Sequence, residues 1–118
     1  MRLRTAAAVT AGSVSILFAA SGVANAAMGG FSYKFVGLHG EPRSATLHNP
    51  ASHHCITLPE VADPHASEPA FAPHNDTDER AVVYTGPHCS GDAWNLRAHG
   101  RPATDRLKLR SVYLTGEK

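Results

Sequence analysis

The sequence predicts an all-β domain of the sandwich or Greek-key type, and three features of the 118-residue chain indicate it. Short apolar segments are separated by turns rich in glycine and proline, of which the chain has 10 and 8. Several of these segments place apolar residues at every second position, which is the periodicity of a half-buried strand. After residue 26, no segment carries the i, i+3, i+4, i+7 stripe of a sustained helix. Many short strands between such turns are typical of two packed β-sheets.

Residues 1–26 are interpreted as a signal peptide, and residues 27–118 as a single secreted β domain. Arg2 and Arg4 give a positive amino-terminal region, an uncharged apolar stretch follows, and Ala24-Asn25-Ala26 has the small-x-small cleavage pattern. A membrane anchor is the alternative, but the stretch is rich in small residues and lacks a stop-transfer charge cluster. We therefore expect cleavage after Ala26 and a soluble extracellular product that does not bind a membrane.

The mature segment is close to electrical neutrality. Without Arg2 and Arg4 it has nine Lys and Arg residues against ten Asp and Glu, a formal net charge of −1. Because the segment also lacks a run of Lys or Arg, this composition argues against nucleic acid and against an anionic membrane surface as the partner.

Cys55 and Cys89 are the only cysteines of the chain. Two cysteines in an exported protein most simply form one disulfide bond, and no C-x-x-C spacing indicates a redox pair or a thiolate metal site. Closing this loop removes about 3–4 kcal/mol of denatured-state entropy on the chain-entropy account. The bond is therefore expected to supply a large share of the stability of so small a domain.

The first half of the mature segment contains three expected strands, at 31–36, 44–48 and 54–58. In the first of them, Phe31, Tyr33 and Phe35 place three aromatic rings on one face. The second ends at an Asn-Pro pair, and the third is rich in β-branched residues and ends at a proline.

The second half contains three further expected strands, at 81–84, 93–97 and 107–114. The first of these is short and apolar, and a Thr-Gly-Pro-His turn follows it. The next alternates around Trp94 and Leu96, and the last has a bend near Ser111.

The chain between Pro59 and Arg80 is predicted to be irregular. Four prolines at intervals of about five residues exclude a sustained helix there. Such a long loop is unusual in a compact domain unless it is functional or held in place, and Cys55 and Cys89 flank it. It is either a surface that contacts a partner or a long connection over the core. The candidate contact residues are Glu60, Val61, Pro64, Pro69, Phe71 and His74.

The next segment carries a characteristic spacing of a tyrosine, a cysteine and a glycine. It reads Tyr84-Thr-Gly-Pro-His-Cys89-Ser-Gly91, the aromatic-x4-aromatic-x-Gly spacing of a βγ-crystallin Greek-key motif with a cysteine at the second aromatic position. Trp94 falls where the next strand has core residues, and Ser111 stands where that family has a serine before its last strand. The stretch therefore resembles small secreted βγ-crystallin-like proteins of actinobacteria, among them metalloproteinase inhibitors and killer-toxin-like proteins.

The resemblance covers residues 81–114 and implies a βγ-crystallin-like Greek-key sandwich with one disulfide. In such a motif the tyrosine covers a folded hairpin, and the glycine takes a backbone conformation closed to side chains. A second, degenerate motif is expected in the first half, where Phe35-Val-Gly37 has the aromatic-x-Gly part.

The calcium signature of that family is missing from the matching position. The family has two adjacent Asp or Asn residues shortly before a Ser/Thr pair, whereas this chain has Arg106-Leu-Lys-Leu-Arg-Ser111. Calcium needs several oxygen ligands and is repelled by neighbouring cations. We therefore expect no calcium at this site, which Asp105 alone does not restore.

Eight histidines and one acidic cluster are the remaining candidates for metal binding. Imidazole suits zinc, copper and nickel, and His48 and His54 are weak candidate ligands that would meet if their strands pair. Scattered surface histidines are the favoured alternative. The cluster 75–79 lacks the glycine and the distal glutamate of an EF-hand, so it is interpreted as a solvated acidic loop.

These observations favour a secreted, non-enzymatic binding protein, with inhibition of an extracellular protease as its specific form. No nucleophile elbow, H-E-x-x-H motif or phosphate loop is present to indicate an enzyme. The expected partner is an extracellular protein, and the protein is expected to be a monomer without a cofactor. An antimicrobial toxin-like protein and a histidine-based binder of transition metals are the alternatives.

Overall fold

The structure, a computed structural model, describes residues 25–118. The predicted signal peptide lies outside the described residues except for Asn25 and Ala26. Between residues 25 and 118 there is no helix with the length and apolarity needed to cross a membrane. This part of the chain has one 3-10 turn and eight strands, β1 (Gly29–Val36), β2 (Pro42–His48), β3 (Cys55–Thr57), β4 (Ala70–Thr77), β5 (Ala81–Gly86), β6 (Ser90–Leu96), β7 (Lys108–Leu109) and β8 (Ser111–Leu114).

The strands form two four-stranded sheets, and the all-β prediction is confirmed. The strand order is β2-β1-β4-β7 in the first sheet and β3-β8-β5-β6 in the second, with every strand pair antiparallel. Each half of the chain thus gives three strands to one sheet and its third strand to the other. This exchange of β3 and β7 ties the two halves into a single unit.

The core lies between the sheets and follows the alternation read from the sequence. Phe31 and Tyr33 of β1 are buried, and Phe35 packs partly against the same cluster. Val83 and Val112 contribute the facing residues of the second sheet. Burying each large apolar side chain contributes about 1.5–3 kcal/mol, so these few positions hold the sheets together.

The predicted disulfide is present and connects β3 with the turn between β5 and β6. The Cα atoms of Cys55 and Cys89 are 5.9 Å apart. Because β8 lies between β5 and β3 in the sheet, this turn has to cross β8 to reach Cys55. The backbone N–H of Cys89 donates to Ser111 Oγ at 2.8 Å, and that hydroxyl donates to the Gly86 carbonyl at 2.7 Å. The turn is therefore held against the sheet by one covalent bond and one buried serine.

The prediction that the chain is irregular up to Arg80 is wrong, because β4 begins at Ala70 and lies between β1 and β7. Pro73 is tolerated inside β4 because the β1–β4 register shifts at this point, and Ala72 takes a positive φ of 51°. A proline cannot donate to a sheet ladder, so within sheets it is confined to such irregularities and to edges. The candidate contact residues Phe71 and His74 are consequently strand residues, not loop residues.

The predicted strand at 107–114 is divided into two strands that belong to different sheets. β7 pairs with β4, whereas β8 pairs with β3 and β5. Arg110 lies between them, and its backbone N–H donates to the Tyr84 carbonyl at 2.8 Å.

Trp94 does not occupy the core, contrary to the expectation from its spacing. Its partner across the β5–β6 ladder is Val83, which is fully buried. Paired residues of an antiparallel ladder lie on one face, so Trp94 does face the interior side of its sheet. The edge strand of the other sheet, β7, has only two residues and the chain before it is irregular. The tryptophan therefore remains 48% exposed.

Candidate functional site

The most prominent surface feature is the connection between β3 and β4, residues 59–69, which we call the pinned segment. Residues 62–66 are exposed one after another and form its tip. Val61 before the tip is buried in the core, and Ala70 after it begins the buried part of β4. The tip therefore projects from two fixed ends.

Arg110 fixes the pinned segment from beneath. Its side chain is 7% exposed, and its guanidinium donates to the Val61 carbonyl at 2.9 Å. It also donates to the carbonyl and the hydroxyl of Ser67, at 2.8 and 3.3 Å. Hydrogen bonds from a charged donor contribute about 1.5–3 kcal/mol, which is more than neutral ones do. One buried cation thus holds both ends of the exposed tip.

Asp63 shapes the tip itself. Its carboxylate accepts the backbone N–H of His65 at 2.9 Å, and its carbonyl accepts the N–H groups of Ala66 and Ser67 at 3.1 Å. An Asp side chain that accepts a backbone N–H two residues on is a common way to stabilise a turn. The tip is consequently a compact turn with a defined backbone.

Glu60 connects the beginning of the pinned segment to the first sheet. The Tyr33 hydroxyl donates to Glu60 Oε1 at 2.6 Å. Burial, and after it the hydrogen bond to Glu60 and the charge of that carboxylate, raise the pKa of the Tyr33 hydroxyl above its usual range. The tyrosine therefore stays protonated and continues to donate this bond well into alkaline solution.

A groove of about 740 Å³ separates the pinned segment from the turn between β1 and β2. Leu38 in that turn is 100% exposed, and Val36 beside it is 45% exposed. The pinned segment contributes the carboxylates of Glu60, Asp63 and Glu68 to the same groove, and the described lining residues include no Lys or Arg. We call the pinned segment together with Val36 and Leu38 the docking face.

The structure places the candidate contact residues in three different settings. Glu60 and Pro64 lie exposed on the docking face, and Pro69 is half-buried at its end. Val61 is part of the core instead, because it anchors the segment. Phe71 and His74 belong to β4, as described above. Leu38 was not found by the sequence analysis, because a leucine in a glycine-rich turn has no periodic pattern to mark it.

The Tyr84–Gly91 motif spans the end of β5, the following turn and the start of β6. Tyr84 is half-buried, Ser111 is fully buried, and Gly91 has a positive φ of 86°. A side chain on Gly91 would collide with the Thr85 hydroxyl. Trp94 follows this turn but lies in the exposed position given above.

The first half has a turn with the same spacing, but it does not begin at Phe35. Gly40 follows Tyr33 by seven positions, as Gly91 follows Tyr84, and Gly40 also has a positive φ, of 81°. The residues that match Tyr84 and Gly91 in spacing are therefore Tyr33 and Gly40, and not the expected Phe35-Val-Gly37.

The acidic cluster at 75–79 is not a solvated loop. Asn75 and Thr77 belong to β4 and are buried, and Glu79 is only 3% exposed. The Glu79 carboxylate accepts the Ser52 hydroxyl at 2.7 and 2.8 Å and the backbone N–H of Gly116 at 2.9 Å. The Glu79 carboxylate therefore connects distant parts of the chain by hydrogen bonds, a role that the acidic residues in the sequence did not indicate.

The two candidate metal ligands of the histidine hypothesis lie apart in the topology. His48 ends β2 in the first sheet, whereas His54 precedes β3 in the second. Their strands do not pair, so the arrangement on which this candidate depended is absent. Among residues 25–118, no three or more histidine, cysteine or acidic side chains come together as a metal site.

The docking face therefore combines a rigid exposed turn, two exposed apolar side chains and three carboxylates. Rigid loops and exposed apolar anchors are features of surfaces that bind other proteins. Comparison with protein-family models, with curated proteins and with solved structures found no match.

Proposed function

We propose that the protein is a secreted, non-enzymatic binding protein that contacts another protein through the docking face, and that inhibition of an extracellular protease is its specific form. The observation that carries this proposal is the exposed tip at 62–66 held at both ends by the guanidinium of Arg110. The disulfide between Cys55 and Cys89 is compatible with an oxidising, extracellular compartment.

The pinned segment favours binding because its backbone loses little conformational entropy when a partner binds. Fixing the backbone of one free residue opposes binding by about 1–2 kcal/mol. The five residues of the tip are already fixed by Arg110 and Asp63, so this term is largely removed before a partner arrives. Protein inhibitors of enzymes depend on the same principle.

The composition of the docking face indicates the chemistry of the partner. Leu38, which nothing in the described chain covers, and the partly exposed Val36 supply apolar anchors. Carboxylates border them, so a complementary surface has an apolar pocket with Lys or Arg at its rim. The apolar contact contributes most of the affinity, and the charges favour the correct orientation during association.

We further propose that the sandwich is of the βγ-crystallin type. The exchange of the third strand of each half into the opposite sheet supports this. The repeated spacing from Tyr33 to Gly40 and from Tyr84 to Gly91 supports it as well, as does the buried Ser111 beneath the second turn.

The proposal is tested with the oxidised protein recovered from a culture supernatant, assayed against a panel of secreted metalloproteases and serine proteases. We expect saturable inhibition of at least one of them. Leu38→Ser should weaken that inhibition about tenfold or more, since a central apolar anchor contributes over 1.4 kcal/mol. Met28→Ser is the matched control, because Met28 is also exposed but lies outside the docking face.

Inactivity against the whole panel would exclude the inhibitor form. Inhibition that Leu38→Ser and Met28→Ser weaken equally would place the contact elsewhere on the molecule and contradict the docking face.

A further inference from the structure

A second concave surface lies between β6 and the chain that leads to β7. It has a volume of about 420 Å³. We call it the tryptophan groove; its lining consists of Thr85, Trp94, Ala103, Thr104, Arg106, Leu107 and Lys108. It shares no residue with the docking face.

The tryptophan groove continues the apolar core to the surface of the protein, where its residues are partly or fully exposed. Trp94 is on the same face of its sheet as the buried Val83, because the two are paired across the ladder. The segment opposite contributes only the half-buried Ala103 and Leu107 as apolar cover. Trp94 therefore faces the interior side of its sheet but is 48% exposed. Exposed aromatic surface of this kind is typical of sites that bind apolar ligands.

The charged residues that line this surface are of one sign. Of the described residues that line the tryptophan groove, Arg106 and Lys108 are cations and none is a carboxylate. Asp105, the nearest acidic neighbour in sequence, lines a separate groove beside Tyr33. The Lys108 ammonium is 5.0 Å from the centre of the Phe71 ring, a cation–π contact that restrains its position.

We propose that the tryptophan groove binds a small organic anion that has a flat apolar body, such as an aromatic carboxylate. The flat body lies against the Trp94 ring and Leu107, the anionic group pairs with Arg106, and Lys108 adds a second positive charge at the edge of the groove. The volume is within the range of about 300–1,000 Å³ typical of small-molecule sites, which are mostly apolar with a few polar groups that fix orientation. An arginine at such a site offers a planar fork that matches a carboxylate in two places.

Three probes with one ring system and different charges test this proposal: naphthalene-2-carboxylate, naphthalene-2-carboxamide and 2-naphthylmethylammonium. Trp94 is the sole tryptophan of the chain, so its single indole N–H resonance reports occupancy of the groove directly. We expect the carboxylate to shift this resonance saturably, with a dissociation constant about tenfold or more below that of the ammonium and with the amide between them.

A pair of charge-matched double variants identifies the source of the preference. Arg106→Gln with Lys108→Gln should bring the three dissociation constants to within about threefold of one another. Lys34→Gln with Arg43→Gln changes the net charge equally, but these residues lie on β1 and β2 and do not line the tryptophan groove, so this variant should leave the preference for the carboxylate intact.

Three outcomes would overturn the proposal: an unmoved indole resonance at millimolar carboxylate, equal affinity for all three probes, or equal loss of the preference in both double variants. The dispersion of the backbone amide resonances shows in each case whether the variant is folded.

Discussion

The turn between β1 and β2 and the turn between β5 and β6 have the same tyrosine-to-glycine spacing, but only the second is attached to its sheet. Tyr33 and Gly40 frame the first, and Tyr84 and Gly91 frame the second, with a positive φ at each glycine. The first turn is closed by bonds within itself: the backbone N–H of Gly37 donates to the Glu41 carbonyl, that of Gly40 to the Gly37 carbonyl, and that of His39 to the Glu41 carboxylate. The second is attached to the sheet through its disulfide and through Ser111.

The difference depends on the residue two positions before each glycine. It is a cysteine, Cys89, in the second turn and a leucine, Leu38, in the first. The cysteine reaches across β8 and fixes its turn over the sheet, whereas the leucine is left fully exposed. One spacing therefore yields a structural turn in one half and a turn that is free to contact a partner in the other.

Removing the disulfide should have the largest effect and should act on one turn only. We expect the Cys55→Ala, Cys89→Ala double variant to lose about 3–4 kcal/mol of unfolding free energy, because its denatured chain regains loop entropy. Urea unfolding measures the loss. Hydrogen exchange should become faster in residues 86–91 and stay unchanged in residues 37–41. Equal acceleration in both turns would contradict the comparison.

Arg110→Met should come next in size. The substitution keeps much of the apolar stem but leaves the Val61 and Ser67 carbonyls without their charged donor, so we expect a loss of about 2–3 kcal/mol in urea unfolding. Arg106→Met is the matched control at an exposed position, and its unfolding free energy should stay within about 0.5 kcal/mol of the parent. A similar loss in both variants would show that Arg110 has no special role beneath the pinned segment.

Ser111→Ala tests the non-covalent attachment of the second turn. The variant removes the acceptor of the Cys89 N–H and the donor to the Gly86 carbonyl, so we expect a loss of about 1–2 kcal/mol. Ser44→Ala, at an exposed position of β2, should change the unfolding free energy by less than about 0.5 kcal/mol. An unchanged exchange rate of the Cys89 amide in Ser111→Ala would show that the disulfide alone holds the turn.

Tyr33→Phe should have the smallest effect at neutral pH, about 1 kcal/mol for the lost hydrogen bond to Glu60. The raised pKa of Tyr33 makes this difference depend on pH. The folded state keeps the phenol protonated while the unfolded chain ionises near pH 10, so the stabilisation is complete below pH 10 and decreases above it.

The advantage of the parent protein over Tyr33→Phe should therefore be smaller at pH 11 than at pH 8. Urea unfolding of both proteins at the two pH values measures this, and all other titrating groups cancel in the difference. A constant difference would mean that the Tyr33 hydroxyl ionises equally in the folded and unfolded states.

The parts of the fold that follow from local pattern could be predicted from the sequence. The alternation of Phe31, Tyr33 and Phe35 marks a half-buried strand, and a chain with two cysteines and a predicted signal peptide most simply forms one disulfide. The prediction of β4 failed because Pro73 reads as a strand breaker, whereas the register shift opposite Ser32 and Lys34 accommodates it. That accommodation depends on the neighbouring strand, which the local sequence does not contain.

The candidate site was predicted only in part for the same reason. The prolines of the connection marked a surface loop, but Arg110, the residue that holds it, lies more than 40 positions away in sequence. Because Arg106, Lys108 and Arg110 alternate with leucines, the sequence gave no sign that Arg110 alone faces inward. For Trp94, the alternation of apolar residues in its strand predicted the correct face of the sheet. Its exposure instead depends on β7 of the other sheet, which is too short to cover it.

The central claim is that the exposed tip at 62–66 is rigid before any partner binds, and backbone 15N relaxation of the free protein tests it most directly. We predict order parameters of about 0.8 or higher across the tip in the parent protein, and a decrease in Arg110→Met while the sheets remain unchanged. Order parameters below about 0.6 in the parent protein would contradict the claim, because a mobile tip loses the entropic advantage on which the proposed binding depends.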